Sequence, residues 1–261
     1  MTDAFFVRDG ERIVATDATR GPWSDAHQHG GPPAALLARA VEELAGDEWV
    51  VARATIELLR PVAIGPVEVE ALAERVGRQV ARFRARLRVD GVKTLTALFL
   101  AIRRREVPVP GHLPTPLSAP PPRPEASEPF RLPFFVPDVG YHTAVELRLA
   151  RGTWGGGGPV TAWLRPRVPL VAGEATSPLQ RVLIACDAGS GVGANLDTSR
   201  YTFLNPDLSL HLHRPLRGEW VGLTAWLAPQ ATGVGQCDTQ VLDPEGPVGR
   251  AVQSLVVAER P

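Results

Sequence analysis

The sequence predicts an α+β protein in which two long antiparallel sheets, fused in one chain, each wrap a central helix. A helix-like segment is followed by several segments whose apolar and polar residues alternate, which is the period of strands. The same order recurs in the second half of the 261 residues. Between the halves, residues 106–137 hold eleven of the 26 prolines, which disfavours a helix or an inner strand there.

The first half opens with a hairpin at residues 5–14 that contains an Asp-Gly turn. After a loop, a Pro-Pro pair precedes residues 34–44, a run of Ala, Leu and Glu that ends before Gly46. Proline in the first turn, strong helix formers and a terminal glycine predict a helix. Its apolar residues lie on most faces, so we expect it to be buried.

Four strands are expected after that helix. Residues 79–89 give the clearest pattern, because arginines alternate there with apolar residues and leave one face for solvent. An Asp-Gly pair at residues 90–91 predicts the hairpin turn that follows. The other strands are expected at residues 49–59, 67–75 and 92–103.

The second half repeats this order. Ser177 and Pro178 are an N-cap residue followed by proline, and they predict a helix over residues 179–188. Strands are expected at residues 143–153, 160–169, 209–214, 220–227, 233–242 and 248–258.

An internal duplication explains the repeated order. The segment TIELLRP that ends at Pro61 matches SLHLHRP, which ends at Pro215. The chain is therefore expected to comprise an N-terminal domain at residues 1–105, a proline-rich linker at 106–137 and a C-terminal domain at 138–261.

Composition excludes several classes of partner. Lys+Arg and Asp+Glu are both 28 and the pI is about 7.0, so no long-range field attracts nucleic acid or an anionic membrane. Cys186 and Cys237 are the only cysteines, too few for a disulfide framework. No window reaches about 18 uninterrupted apolar residues. We expect a cytoplasmic protein that binds neither nucleic acid nor a membrane.

Four segments together resemble a known family. They are HGGPPA at residues 29–34, LIACD at 183–187, NPDLSLHLHRP at 205–215 and GRAVQS at 249–254. In this order the chain resembles the acyl-CoA thioesterase-like superfamily of fused double-hotdog proteins, which is related to the thioesterase II (medium-chain acyl-CoA thioesterase) family. The resemblance implies a double hotdog fold, hydrolysis of acyl-CoA in fatty acid metabolism, no metal or other cofactor, and a dimer of double hotdogs.

The resemblance also implies a catalytic set. In thioesterase II proteins an Asp, a Thr and a Gln together hold a water, and these positions fall on Asp187, Asn205 and Gln253. Asn205 departs from the family's Thr. Its carboxamide can still hydrogen-bond a water, although it is not the same donor as a threonine hydroxyl.

The residue types suit thioester hydrolysis. Asp187 follows an apolar helical run, so we expect burial to raise its pKa and make it a better base. Gln253 interrupts an apolar strand, where its carboxamide needs a partner. A water shared with Asp187 would satisfy both side chains.

Gly30 and Gly31 precede the first helix, where backbone N–H groups face outward at a positive helix end. We expect a substrate carbonyl to bind there, on donors at Gly30, Gly31 or Ala34. His29 is expected to contact substrate because it adjoins Gly30. Two His-x-His pairs lack a third ligand cluster, so no metal site is expected.

Two alternatives remain open. A hotdog enoyl-CoA hydratase or dehydratase uses an Asp/His or His/Glu pair near the central helix, and no His lies beside Asp187 in the sequence. A non-catalytic protein that binds acyl-CoA or a small apolar ligand is favoured only by Asn205 in place of Thr.

Overall fold

The computed structural model describes residues 3–110, 121–135 and 137–260. The helices are α1 (Gly31–Ala45), α2 (Tyr141–Ala144), α3 (Pro178–Cys186) and α4 (Gly189–Val192). The strands of the first half are β1 (Phe6–Asp9), β2 (Arg12–Ala15), β3 (Trp49–Leu58), β4 (Pro66–Val76), β5 (Val80–Val89) and β6 (Val92–Arg103). Those of the second half are β7 (Glu128–Pro129), β8 (Val145–Arg151), β9 (Val160–Pro166), β10 (Tyr201–Leu204), β11 (Asp207–Leu212), β12 (Val221–Pro229), β13 (Val234–Asp243) and β14 (Gly246–Glu259).

These strands form one large, antiparallel sheet rather than two separate ones. Its order is β1-β2-β4-β5-β6-β3-β11-β14-β13-β12-β9-β8-β7, with β10 added beside β14. The halves join where β3 pairs with β11, and Thr55 lies opposite Ser209 in that ladder. The repeated segments of the sequence therefore meet edge to edge at the centre of the sheet.

The helices α1 and α3 pack against each other on the sheet. Apolar side chains of α1 and of the inward faces of the strands, such as Leu37 and Phe83, are almost fully buried between these layers. Glu42 of α1 accepts hydrogen bonds from Ser177 and Gln180 at the start of α3, at 2.8 to 2.9 Å. The contact fixes the two central helices relative to each other.

The proline-rich segment makes more contacts than a free linker would. Within residues 121–135, β7 forms a two-residue edge strand on β8. The Trp163 indole donates a hydrogen bond to the Pro122 carbonyl at 2.8 Å, and Leu132 and Phe135 are buried. Its apolar residues contact both halves, since Phe134 also stacks on Trp23. Residues 111–120 and 136 of the expected linker lie outside the described residues.

Gly31 allows the close approach of α1 to α3. A Cβ at this position would lie 2.4 Å from the Ile184 carbonyl oxygen, and that backbone cannot move aside as a flexible side chain would. We expect Gly31→Ala to lower the free energy of unfolding by about 1–3 kcal/mol or more. Urea unfolding measures the change. Gly158→Ala is the matched control, since nothing lies within 4 Å of its added Cβ. An equal loss in both variants would contradict the packing argument.

Candidate active site

A cavity of about 620 Å³ opens beside the junction of α3 and α4. Its wall comes from the loop before α1, the end of β3, the proline-rich segment and the β10–β11 connection. The residues that line it are Gly21, Pro22, Trp23, Ser24, His27, Gln28, His29, Gly30, Leu58, Leu59, Arg60, Pro61, Leu132, Phe134, Phe135, Asp187, Ala188, Ser190, Gly191, Phe203, Leu204, Asn205, Pro206 and Val256.

Asp187 ends α3 and projects a nearly buried carboxylate, 6% exposed, to this cavity. Asn205 Nδ2 donates a hydrogen bond to its Oδ1 at 2.8 Å, and His29 Nδ1 lies 2.9 Å from its Oδ2. Burial raises the pKa of Asp187, but the charge and hydrogen bond of His29, the Asn205 amide and the Gly31 N–H outweigh it. The pKa therefore lies below its ordinary 3.8, and the expected rise was wrong.

His29 lies against Asp187, 158 positions away in the chain. Its ring stacks on that of Tyr141, with centroids 3.8 Å apart and planes within 6°, and the Tyr141 hydroxyl donates to the Ile184 carbonyl at 2.8 Å. The Gly31 amide nitrogen also lies 3.2 Å from His29 Nδ1. A nitrogen that donates to Asp187 cannot also accept from Gly31, and the carboxylate favours the Nδ1–H form.

Asn205 occupies the short connection between β10 and β11. Its Nδ2 donates both to Asp187 and, at 3.3 Å, to the Asp207 carbonyl. Both contacts fix the amide orientation, so the side-chain oxygen is left as an acceptor at the cavity wall. Asn205 thus contacts the Asp187 carboxylate directly through its amide.

Gln253 differs from its expected arrangement. Its Nε2 donates to the main-chain carbonyl of Asp187 at 3.2 Å, and its Oε1 accepts from the Ser190 amide at 3.1 Å. The side chain is 1% exposed and is not among the residues that line the cavity. Because it reaches the backbone beneath α4, Gln253 contacts the main chain of Asp187 rather than its carboxylate.

The two glycines at the start of α1, Gly30 before the helix and Gly31 as its first residue, have different surroundings. Gly30 lines the cavity, and a Cβ there would come within 2.9 Å of the Asp187 carboxylate. The Gly31 amide is directed to the His29–Asp187 pair instead. Of the two, Gly30 therefore remains the candidate that can donate to a substrate carbonyl.

One arm of the cavity is aromatic. Trp23 and Phe134 stack with centroids 5.6 Å apart, and Phe203 meets both rings edge-on at 5.6 and 6.2 Å. Leu132 and Val256 extend this apolar wall. The arrangement can hold an apolar group beside the Asp187 carboxylate.

The sequence did not single out Trp23, Phe134 or Tyr141. Phe134 belongs to a segment interpreted as a linker, where the clustered Leu and Phe residues after Pro129 were the available signal. Tyr141 is one of only two tyrosines and lies where the pattern of the first half restarts, which carries no information about its partner.

Within the described residues, no group of three or more His, Cys, Asp or Glu is placed to hold a metal ion. In the same part of the chain, no helix is both long and apolar enough to span a bilayer.

Two family models match the chain. The one for acyl-CoA thioesterase N-terminal domains matches residues 19–102, and the one for acyl-CoA thioesterase C-terminal domains matches residues 115–257. Among proteins with curated descriptions, none matches this chain.

Several solved structures share the fold. A provisionally assigned thioesterase from Novosphingobium aromaticivorans is 22% identical, with a TM-score of 0.77 over 97% of this chain and 98% of that one. A provisionally assigned thioesterase II from Thermobifida fusca is 19% identical, with a TM-score of 0.74 over 98% and 96%. A protein of unknown function with a hot dog fold from Alicyclobacillus acidocaldarius is 17% identical, with a TM-score of 0.70 over 99% and 97%.

Proposed function

The chain belongs to the acyl-CoA thioesterase family, and from this we propose that it hydrolyses acyl-CoA thioesters to a free acid and CoA. One observation supports the proposal most directly. The ionised carboxylate of Asp187 has the His29 imidazole and the Asn205 carboxamide each within 3 Å of it, at the wall of a largely apolar cavity. Such a site can orient a water beside an apolar acyl group.

His29 is the proposed base. Asp187 accepts its Nδ1–H and so selects the tautomer in which Nε2 is an acceptor. Asp187 already accepts hydrogen bonds from His29 and Asn205, and these contacts make its carboxylate a weaker proton acceptor than the sequence had led us to expect. Asn205 positions the water through its side-chain oxygen, and Gln253 holds the backbone of Asp187.

The reaction balances without another reagent. His29 Nε2 takes a proton from the water as its oxygen attacks the carbonyl carbon, and the carbonyl electrons move to oxygen. The Gly30 N–H, at the positive end of α1, stabilises that oxyanion. When the carbonyl re-forms, the carbon–sulfur bond breaks and the CoA thiolate takes the proton back from His29.

Free-thiol release from short-, medium- and long-chain and aromatic acyl-CoAs tests the proposal. We expect at least one ester to be turned over by the purified protein. No release from any member of the panel would contradict it, and tight binding of an ester without turnover would favour a non-catalytic acyl-CoA-binding protein.

Phe134 should affect the acyl group selectively. We expect Phe134→Ala to lower kcat/KM about tenfold or more for medium-chain and aromatic esters, because their acyl groups lose an apolar contact. Acetyl-CoA, too short to reach this wall, should change by about twofold at most. Phe130→Ala is the matched control, because Phe130 lies on the same segment but does not line the cavity. An equal decrease in kcat/KM for all esters would instead indicate that Phe134→Ala disturbs the fold in general.

A second function is favoured by the His29–Asp187 contact. Such a pair is what a hotdog enoyl-CoA hydratase would use, and the absence of a neighbouring His in the sequence no longer counts against that class. Incubation with an enoyl-CoA distinguishes the two reactions. A hydratase gives a 3-hydroxyacyl-CoA with its thioester intact, whereas a thioesterase releases the thiol.

A further inference from the structure

The two Arg-Pro pairs of the internal repeat differ in their contacts. Arg214 binds the Asp243 carboxylate with both terminal nitrogens and donates to the Gly246 carbonyl at 3.0 Å. Arg60, its counterpart after β3, has an exposed side chain that makes no hydrogen bond or ion pair to any described residue. Among the described residues that line the cavity, it is the only Arg or Lys. The duplication has therefore left one arginine fixed within the fold and the other available at the cavity.

Gln28 lies beside this arginine with an unused acceptor. Its side chain is 8% exposed, and its Nε2 donates to the Ala63 carbonyl at 2.8 Å, which fixes the amide orientation. Its Oε1 is buried and has no partner among the described residues. The Gln28 main chain donates to Val62 at 2.8 Å, so Gln28 is held next to the segment that begins at Arg60. A buried acceptor on a cavity wall that lacks a partner suits a ligand N–H.

We infer that the part of the cavity wall formed by Gln28 and Arg60 binds the CoA portion of the substrate. Gln28 Oε1 accepts a hydrogen bond from a pantetheine amide, and Arg60 contacts a CoA phosphate. The inference rests on the proposed function. CoA carries both kinds of group on one flexible chain, and a guanidinium pairs with phosphate through two parallel hydrogen bonds.

The position of Arg60 agrees with CoA binding on one side of the reaction centre and the acyl group on the other. Leu58 adjoins Gly30 and Asp187 at the proposed reaction centre, since a Cβ on Gly30 would contact both. Arg60 follows two residues later, at most ~7 Å along the chain. The aromatic arm formed by Trp23, Phe134 and Phe203 then remains for the acyl group.

Kinetics of Arg60→Gln on two matched thioesters test the inference. One is the best acyl-CoA and the other is the same acyl group on pantetheine, which has the amides but no phosphate. We expect KM for the acyl-CoA to rise about tenfold with kcat little changed, and the KM for acyl-pantetheine to stay within about twofold. In the wild type, KM for the acyl-CoA should increase with salt, and the variant should lose most of that dependence.

Arg250→Gln, which removes a charge from an exposed ion pair with Asp238, is the matched control and should leave both KM values unchanged. Equal rises for both esters in Arg60→Gln, or no rise for either, would overturn the phosphate contact while leaving hydrolysis intact. Absence of hydrolysis of both esters by the wild type would instead mean that the proposed function has failed.

Discussion

Replacing Asp187 by Asn should lower kcat/KM for the best acyl-CoA ester by about 10²–10⁴-fold, the range of acid–base catalysis, because His29 loses the carboxylate that orients it. Three donors converge on this carboxylate, from His29, Asn205 and Gly31. An Asn side chain offers only one acceptor oxygen, so at least one donor would face an NH₂ group. The set of contacts that includes the one selecting the tautomer of His29 would therefore be disrupted.

Stability has to be measured alongside this rate. Because folding lowers the pKa of Asp187, its carboxylate contributes stability that is fully present above pH 3.8 and is lost as the pH falls through the lowered value. Asp187→Asn lacks that contribution, so thermal unfolding should confirm that the variant is folded at the assay temperature. Asp197→Asn, the same change on an exposed carboxylate that accepts from Ser199, is the matched control. Full activity in Asp187→Asn would rule out a role for this carboxylate in the reaction.

The elements of the fold that could be predicted from sequence are those with local signals. The alternation at residues 79–89 corresponds to β5, and Ser177 caps α3 as expected. The four-residue elements β10 and α2 were missed, because four residues are too few to show a period. The pairing of β3 with β11 was also missed, since a contact between distant segments leaves no local pattern.

In the candidate site, too, residues were predicted from the sequence whereas contacts between distant segments were not. Asp187 and Asn205 were assigned to the site through the family resemblance, and the structure brings them into contact. The predicted rise of the Asp187 pKa was wrong. Burial can be inferred from neighbouring residues, whereas the hydrogen-bond donors that offset its effect on the pKa come from other parts of the chain. His29 was assigned to substrate rather than to Asp187 because their contact exists only once α1 packs on α3.

Replacing His29 by Gln is expected to lower kcat/KM by about 10²-fold or more, since the proposed base is removed. The double variant with Asp187→Asn should be no slower than the slower single variant, because residues that act as one unit lose the same function only once. Tyr141 supports this geometry by its stack on the imidazole, whose orientation Asp187 also fixes.

Comparing four proteins distinguishes His29 from Asp187 as the base. They are the wild type, the two single variants and the double variant. His211→Gln is the control for the chemical change, because His211 is exposed on β11 and does not line the cavity. If His29→Gln retained most of its activity while Asp187→Asn lost it, the carboxylate itself would deprotonate the water. If both single variants were inactive and the double variant were no worse, the proton would pass through His29, with Asp187 fixing its tautomer.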